Sequence, residues 1–217
     1  MEVPGIIRVY SSKVKKAYKS GGVSLLLKRS FRKTSQTIFR TNNAYWYAKD
    51  LTLPIPDIEP KIPAEIDWDF SNTVEWIKTN TVFSYAEERE IETAIKQNHY
   101  YPNVRYQGNI IGYIKVGYGE VYVMDFDKIV RFQNGTAYIY DVHTLPDFRG
   151  QGIAPFLVTE VMRFLKQRGY KRLLCHIPEW NTASASSFTK CSFERIKRIR
   201  YCKILGMECF STRPENI

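Results

Sequence analysis

The stretch "YIYDVHTLPDFRGQGIA", residues 138–154, decides how this chain is read. Its first seven residues alternate aromatic or β-branched side chains with the period of two that marks a strand. Its last six, Arg149 to Ala154, hold two glycines one residue apart and lead into "PFLVTEVMRFL" (155–165), whose apolar residues recur at helical spacing. Glycine lets a backbone approach a ligand closely. A helix start offers N–H groups without internal partners at the positive end of the macrodipole. With Arg149 leading, Gly150 and Gly152 inside and Pro155 suited to a first helical turn, the amides of residues 150–154 can converge on a pyrophosphate. No acidic residue follows Asp147 within the loop to repel it. The same glycine pair also suits a tight strand-to-helix turn with no ligand, so the flanks have to decide.

Upstream, residues 103–143 alternate around the turn signals "QGN" (107–109) and "QNGT" (133–136), which predicts an antiparallel meander. Downstream, a helix is expected from about 155 to 168, closed by "RG". A strand of the buried type follows in "YKRLLCHI" (170–177), then a helix from near Asn181 and a final strand or hairpin over 193–210. Ahead of the meander, "EIDWDF" (65–70) reads as a short strand, followed by two helices capped by Ser71 and Ser84. The expected class is mixed α/β (α+β), and the run of antiparallel strands argues against a doubly wound sheet.

In that setting the chain resembles the GNAT superfamily of acyl-CoA-dependent N-acyltransferases. The pyrophosphate-loop signature Arg/Gln-x-x-Gly-x-Gly/Ala is met by Arg149, Gly152 and Ala154, with Pro146 at the place of the usual upstream proline. A second signature, an Asn followed by a helix ending in a Lys-x-Gly-Phe turn, is met by Asn181, Lys190 and Phe193. Together they cover about residues 110–201. The resemblance implies a mostly antiparallel sheet flanked by helices, with two parallel strands, 138–144 and 170–177, parting to admit acetyl-CoA as co-substrate. It assigns Val142, Thr144, Arg149, Gly150, Gln151, Gly152, Ile153, Ala154 and Asn181 to cofactor binding, with an N–H near 142–144 on the thioester carbonyl, and no metal. Two positions depart from the pattern. Phe188 stands where the family carries a proton-donating tyrosine, and Ser192 replaces the turn glycine.

The attacking amine has to be neutral, which calls for a base. Strict alternation puts Ile139, Asp141 and His143 on one face of the strand and Tyr138, Tyr140 and Val142 on the other. Asp141 and His143 are the catalytic candidates, the imidazole expected to have its pKa raised by the neighbouring carboxylate; each also has a purely structural reading. His176 is a competing base or a border of the gap. His99 reads as a helix-end residue bonded to carbonyls, and Glu120 as a base acting through water or a solvated strand edge. Ser187, Thr189 and Cys191 carry protons near Phe188, but helix direction points them elsewhere.

The chain has 217 residues and a net charge of +10, and the excess is local. Residues 3–49 hold eleven basic and no acidic residues, and the remainder from Asp50 onward is balanced. Residues 11–20 and 23–40 read as helical pieces, the second basic and amphipathic, which sets the expected division at 1–50 for an arm and 51–217 for the acyltransferase domain. The proline-rich "LTLPIPDIEPKIP" (51–63) is a linker or wrapping segment. Contact with an anionic membrane, packing of the apolar stripe on the body or on a second subunit as a homodimer, and a transit peptide are open readings of the arm; nucleic acid is disfavoured, since no stacking platform is seen. Neither a membrane-spanning run nor a secretory signal is present, so cytoplasmic residence is the expectation. Cys175, Cys191, Cys202 and Cys209 lack zinc or redox spacing and read as reduced, mostly packed thiols. The implied activity is N-acetyl transfer to a small amine, such as an amino sugar or amino acid derivative. A non-catalytic CoA-binding regulator or membrane adaptor of the same fold is the alternative.

Overall fold

The structure, a computed structural model, describes residues 39–81, 85–204 and 207–214. Its elements are β1 (Phe39–Asp50), β2 (Glu65–Asp67), α1 (Phe70–Asn80), α2 (Tyr85–Gln97), β3 (Asn103–Tyr106), β4 (Asn109–Tyr118), β5 (Glu120–Val123), β6 (Lys128–Arg131), β7 (Thr136–Thr144), α3 (Ile153–Gln167), β8 (Arg172–Pro178), α4 (Thr182–Lys190), β9 (Glu194–Ile204) and β10 (Met207–Pro214). The chain divides into two units, residues 43–199 with 212–217, and residues 1–42 with 200–211. Within the larger unit the strands run β9-β1-β8-β7-β4-β3-β2, and β5 and β6 form a separate two-stranded sheet. In the smaller unit, described from residue 39 on, β10 follows β9. The mixed, mostly antiparallel sheet flanked by helices is the architecture expected from the order of motifs.

Residues 43–50, placed at the end of the arm by their basic surroundings, are strand: β1 pairs antiparallel with β8 from Ala44↔Pro178 to Asp50↔Arg172. The sequence "AYWYA" explains this, because three consecutive aromatic residues favour strand and suit a sheet packed on both faces. The helical pieces expected over 11–40 lie outside the described residues, except that 39 and 40 open β1. Residues 51–64 wrap as their prolines require: Ile55 and Ile58 pack on the main core, and Ile62 and Ala64 on a second cluster around Val104, Ile111 and Ile153.

Helix α3 forms because Leu157, Val158, Val161, Met162 and Leu165 recur on one side, all within 2% of full burial. They pack on Ile114, Val116, Ala137, Ile139, Leu173, Cys175 and Ile177 from three neighbouring strands. Burial of each large aliphatic side chain contributes about 1.5–3 kcal/mol before entropy is charged. Gly169 ends the helix at φ +81°, with Tyr170 N–H returning to the Leu165 carbonyl at 3.1 Å, the closing turn that "RG" predicts.

Other local readings meet the structure unevenly. Helix α1 is capped by Asp69, whose carboxylate accepts from Ser71 N at 2.7 Å and Asn72 N at 3.4 Å; Ser71 is already inside the helix. A carboxylate two residues earlier reaches the free amides better than the hydroxyl. Ser84 lies outside the described residues. The meander is interrupted, because β5 and β6 leave the main sheet between β4 and β7. Cys175 and Cys191 are buried, Cys202 is half-buried and Cys209 exposed, all as free thiols.

Candidate active site

Strands β7 and β8 run parallel only from Thr136↔Arg172 to Ile139↔Cys175. Beyond that point each keeps its outer partner and loses the inner one. β7 stays paired with β4 to Thr144↔Gly112, and β8 with β1 to Ala44↔Pro178. The result is a gap lined by two strand edges whose inward N–H and C=O groups have no ladder partner. A bulge starts it. Lys115 faces Asp141 while Val116 faces Ile139, so Tyr140 is the extra residue on β7.

The bulge overturns the expected facing of side chains. Ile139 and Val142 both lie with the core under α3, whereas Asp141 and His143 share the opposite face with Tyr113 and Lys115 of β4. Alternation holds from Asp141 onward and from Ile139 backward, but one inserted residue separates the two runs. Asp141 and His143 do end on one face, as the spacing of two requires.

Past the bulge the backbone is regular. Leu145 N–H donates to the Ile111 carbonyl of β4 at 2.8 Å, so alternation sends the His143 N–H to the same side. The Val142 and Thr144 N–H groups therefore point into the gap. The Thr144 hydroxyl is buried and has no hydrogen-bond partner among the described residues. Arg149 Nε lies 3.3 Å from the Thr144 carbonyl and fixes the loop to the strand end.

Gly150 and Gly152 adopt φ +77° and +80°, a region that residues with a Cβ avoid. Gly152 is the N-cap of α3 and provides no side-chain cap. Among the described residues no protein acceptor takes the N–H of Gly150, Gln151, Gly152, Ile153 or Ala154. The Gln151 carbonyl is held by Lys61 N–H at 2.8 Å, and a Cβ on Gly152 would stand 3.4 Å from the Glu59 carbonyl. The wrapping segment thus fixes the loop from behind while its amides stay open. At the far side of the gap Asn181 caps α4, its Oδ1 accepting from Ser184 N at 3.1 Å.

The second face is built from side chains. Tyr113 donates its hydroxyl to Asp141 Oδ2 at 2.9 Å and stacks on the His143 ring at 5.4 Å between centroids. Trp76 of α1 meets both rings. Beneath them Lys115, 1% exposed, bonds Glu90 of α2 at 2.7 Å and lies 3.5 Å from Asp141. Burial opposes the Lys115 charge, but the carboxylates of Asp141 and Glu90 outweigh it and raise its pKa. Burial pushes the Glu90 carboxyl up to about 7 despite Lys115. His143 moves against expectation: half-burial lowers its pKa, and Arg149 and Lys115 add to this against the opposing pull of Asp141. A neutral imidazole at pH 7 follows. His143 and Trp76 also line an open cleft of about 670 Å3 with Asn80, Arg105, Asn109 and Leu145.

The remaining candidates separate clearly. Glu120 is paired across the β5–β6 hairpin with Arg131 at 2.8 Å. His99 bonds a carbonyl of β4, that of Tyr118 at 3.1 Å, rather than the helix-end carbonyls expected, and burial lowers its pKa. His176 sits on β8 one residue past the last parallel pair and borders the gap. Phe188 is buried edge-on to Phe193, Ser187 bonds its own helix, and Cys191 Sγ points to the Pro155 carbonyl.

The profile of the acetyltransferase (GNAT) family matches residues 67–193, more than half of the chain. The chain belongs to this family. Solved structures share the fold of this GNAT protein: a GCN5-related N-acetyltransferase from Sphaerobacter thermophilus (TM-score 0.56, 16% identity, 85% of this chain and 56% of that one). A Drosophila protein (0.54, 11%, 85% and 58%) and a tandem GNAT protein from the clavulanic acid biosynthesis pathway (0.50, 12%, 86% and 58%) share it too. The chain thus spans a little over half the length of each. No curated protein sequence matches it.

Sequence reasoning missed Tyr113, Lys115, Glu90 and Trp76. A signal did exist for Lys115, a lone cation inside the apolar run "IIGYIKVGY" (110–118), which a strand buried on both faces accommodates only with a carboxylate partner.

Proposed function

We propose that this GNAT protein is an acyl-CoA-dependent N-acyltransferase, moving an acetyl group from acetyl-CoA to the amine of a small molecule such as an amino sugar or amino acid derivative. The observation that carries the reading is the juxtaposition at β7. Its inward edge offers the unpaired Val142 and Thr144 amides, and one face carries Asp141, Tyr113 and a neutral His143 beside an open cleft.

The chain's residues suit the co-substrate. The orphaned Thr144 hydroxyl and the open amides of 150–154 are donors in want of acceptors, and Gly150 and Gly152 leave their Cβ positions clear. Acetyl-CoA supplies an acyl thioester and a thiol leaving group. Arg149 and the amides of Gly150, Gln151, Gly152, Ile153 and Ala154 hold the pyrophosphate, Asn181 presents its side-chain NH2 to the pantetheine arm, and the gap's strand edges pair with the arm's amide groups. The Val142 or Thr144 N–H stabilises negative charge on the carbonyl oxygen, a type of donor whose loss costs ~3 kcal/mol.

His143 accepts the proton that the amine loses as its nitrogen bonds the carbonyl carbon. Asp141 steadies the imidazolium so formed, and Tyr113 keeps the Asp141 carboxylate oriented. Phe188 has no proton to give, so the thiol departs as thiolate, with a pKa near ~8.5 that needs little assistance at neutral pH. Thiol release on mixing the protein with acetyl-CoA and a panel of amino sugars and amino acid derivatives tests this. Turnover that depends on an amine is expected. Tight CoA binding with no turnover would favour the alternative that Phe188 raises, a CoA-binding adaptor. The arm's eleven cations suit an anionic membrane and its apolar stripe a second copy of the chain; liposome flotation at low and high salt, with sedimentation, tells these apart.

A further inference from the structure

A buried chain of polar groups at the narrow end of the gap has no part in the steps above. Tyr138 of β7 bonds its hydroxyl to His176 Nδ1 of β8, and His176 Nε2 lies 2.8 Å from Asp125 Oδ2 in the β5–β6 turn. A carboxylate accepts, so Nε2 carries the proton and Nδ1 is the bare nitrogen that takes the Tyr138 O–H. Tyr138 is fully buried and the His176 side chain is 3% exposed, while Asp125 reaches solvent. Trp46, Phe126 and Phe132 pack around the pair, with Phe132 stacked on Tyr138 at 4.7 Å and Phe126 4.9 Å from the imidazole.

The placement gives this chain a role. Backbone pairing between the two strands stops at Ile139↔Cys175, and the Tyr138–His176 bond crosses between them at that boundary. A thioester anchored by phosphates beyond Thr144 points its acyl end away from the loop, toward this boundary. At that boundary Ile139 and Cys175, 3% and 2% exposed, turn into the core under α3, and the bonded Tyr138–His176 pair lies on the opposite face. We propose that the Tyr138–His176–Asp125 chain is a clasp that sets where β7 and β8 part and closes the end of the gap, restricting the enzyme to short acyl groups. This rests on the acyl-CoA reading above. Tyr138 and His176 are specificity-determining and positioning residues: Asp125 fixes the imidazole, and the imidazole fixes the tyrosine.

Calorimetric titration of the full chain with CoA and with acetyl-, propionyl-, butyryl- and hexanoyl-CoA tests this without an acceptor amine. Acetyl- and propionyl-CoA are expected to bind alike, and hexanoyl-CoA at least tenfold more weakly than acetyl-CoA. In His176→Ala that penalty, with each affinity taken relative to that for CoA itself, shrinks at least fivefold. Tyr138→Phe keeps the ring, loses the bond and shifts the ratio in the same direction by a smaller factor. Equal binding of acetyl- and hexanoyl-CoA by the unaltered protein would overturn the proposal even if neither variant folds. An unchanged ratio in a variant that folds and binds CoA normally would do the same. Failure of the unaltered protein to bind CoA at all would instead remove the acyl-CoA reading, and the clasp's role with it.

Discussion

The two sides of β7 are made from different materials. Where the strand leads into α3, the site is backbone: five open amides, two glycines at positive φ and one arginine, from consecutive residues. On the opposite face it is side chains, with Tyr113 from β4, Asp141 and His143 from β7, Trp76 from α1, and Glu90 from α2 behind Lys115. Backbone amides suit a ligand whose charge is fixed, because they neither titrate nor change rotamer. Side chains suit a step in which a proton moves, since their pKa values respond to burial and neighbours. Binding is therefore expected to depend on the first side and turnover on the second.

Substitution of Gly152 by Glu strikes the backbone side hardest. The new side chain must adopt φ +80°, pass the Glu59 carbonyl and bring a negative charge to the phosphates. Loss of two charge-assisted hydrogen bonds at ~1.5–3 kcal/mol each predicts CoA binding weaker by ~100-fold or more, measured by calorimetry beside an unchanged circular dichroism spectrum.

His143→Ala addresses the other side. It is expected to lower kcat by ~10²–10⁴ and leave the Kd for acetyl-CoA unaltered. In the unaltered protein the proposed transfer should speed up with pH through a midpoint below 6.5 and level off by neutrality, because burial lowers the imidazole pKa and the base acts unprotonated. A loss of CoA affinity in this variant with normal turnover would erase the division between the two sides.

Glu90→Gln sharpens the contrast through stability. The Glu90 carboxyl titrates at about 7 in the fold against 4.5 in its ordinary state, so its contribution is complete below pH 4.5 and disappears as pH rises through 7. Thermal melts should show the unaltered protein losing stability across that window and the variant a flatter profile. The smallest effect is expected from Ser192→Gly. Ser192 holds φ +59° after α4, and relieving a left-handed residue should add ~1 kcal/mol or less in urea unfolding, with CoA binding and turnover unchanged.

Legibility followed the same division. Arg149, Gly150, Gly152 and the start of α3 could be read because every residue of that loop is a sequence neighbour of the next. Asp141 and His143 could be paired because strand alternation reaches that far. The position of Ile139 relative to them could not, since a bulge at Tyr140 is set by the register against β4 rather than by any residue type in "YIYDVHT". The strand at 43–50 was hidden by the basic residues around it, whose charge says nothing of whether a backbone finds a partner in β8.

By itself, the sequence determined the order of elements from residue 103 onward, the glycine-pair loop before α3 and the family, because turns, caps and periodic burial act over a few residues. Tertiary structure alone decided where the pairing of β7 and β8 stops, where the bulge in β7 falls, and that Lys115 and Glu90 lie under Asp141. Those depend on hydrogen-bond register and on desolvation by segments distant in the chain, and a pKa such as that of His143 moves with how deeply the fold buries it.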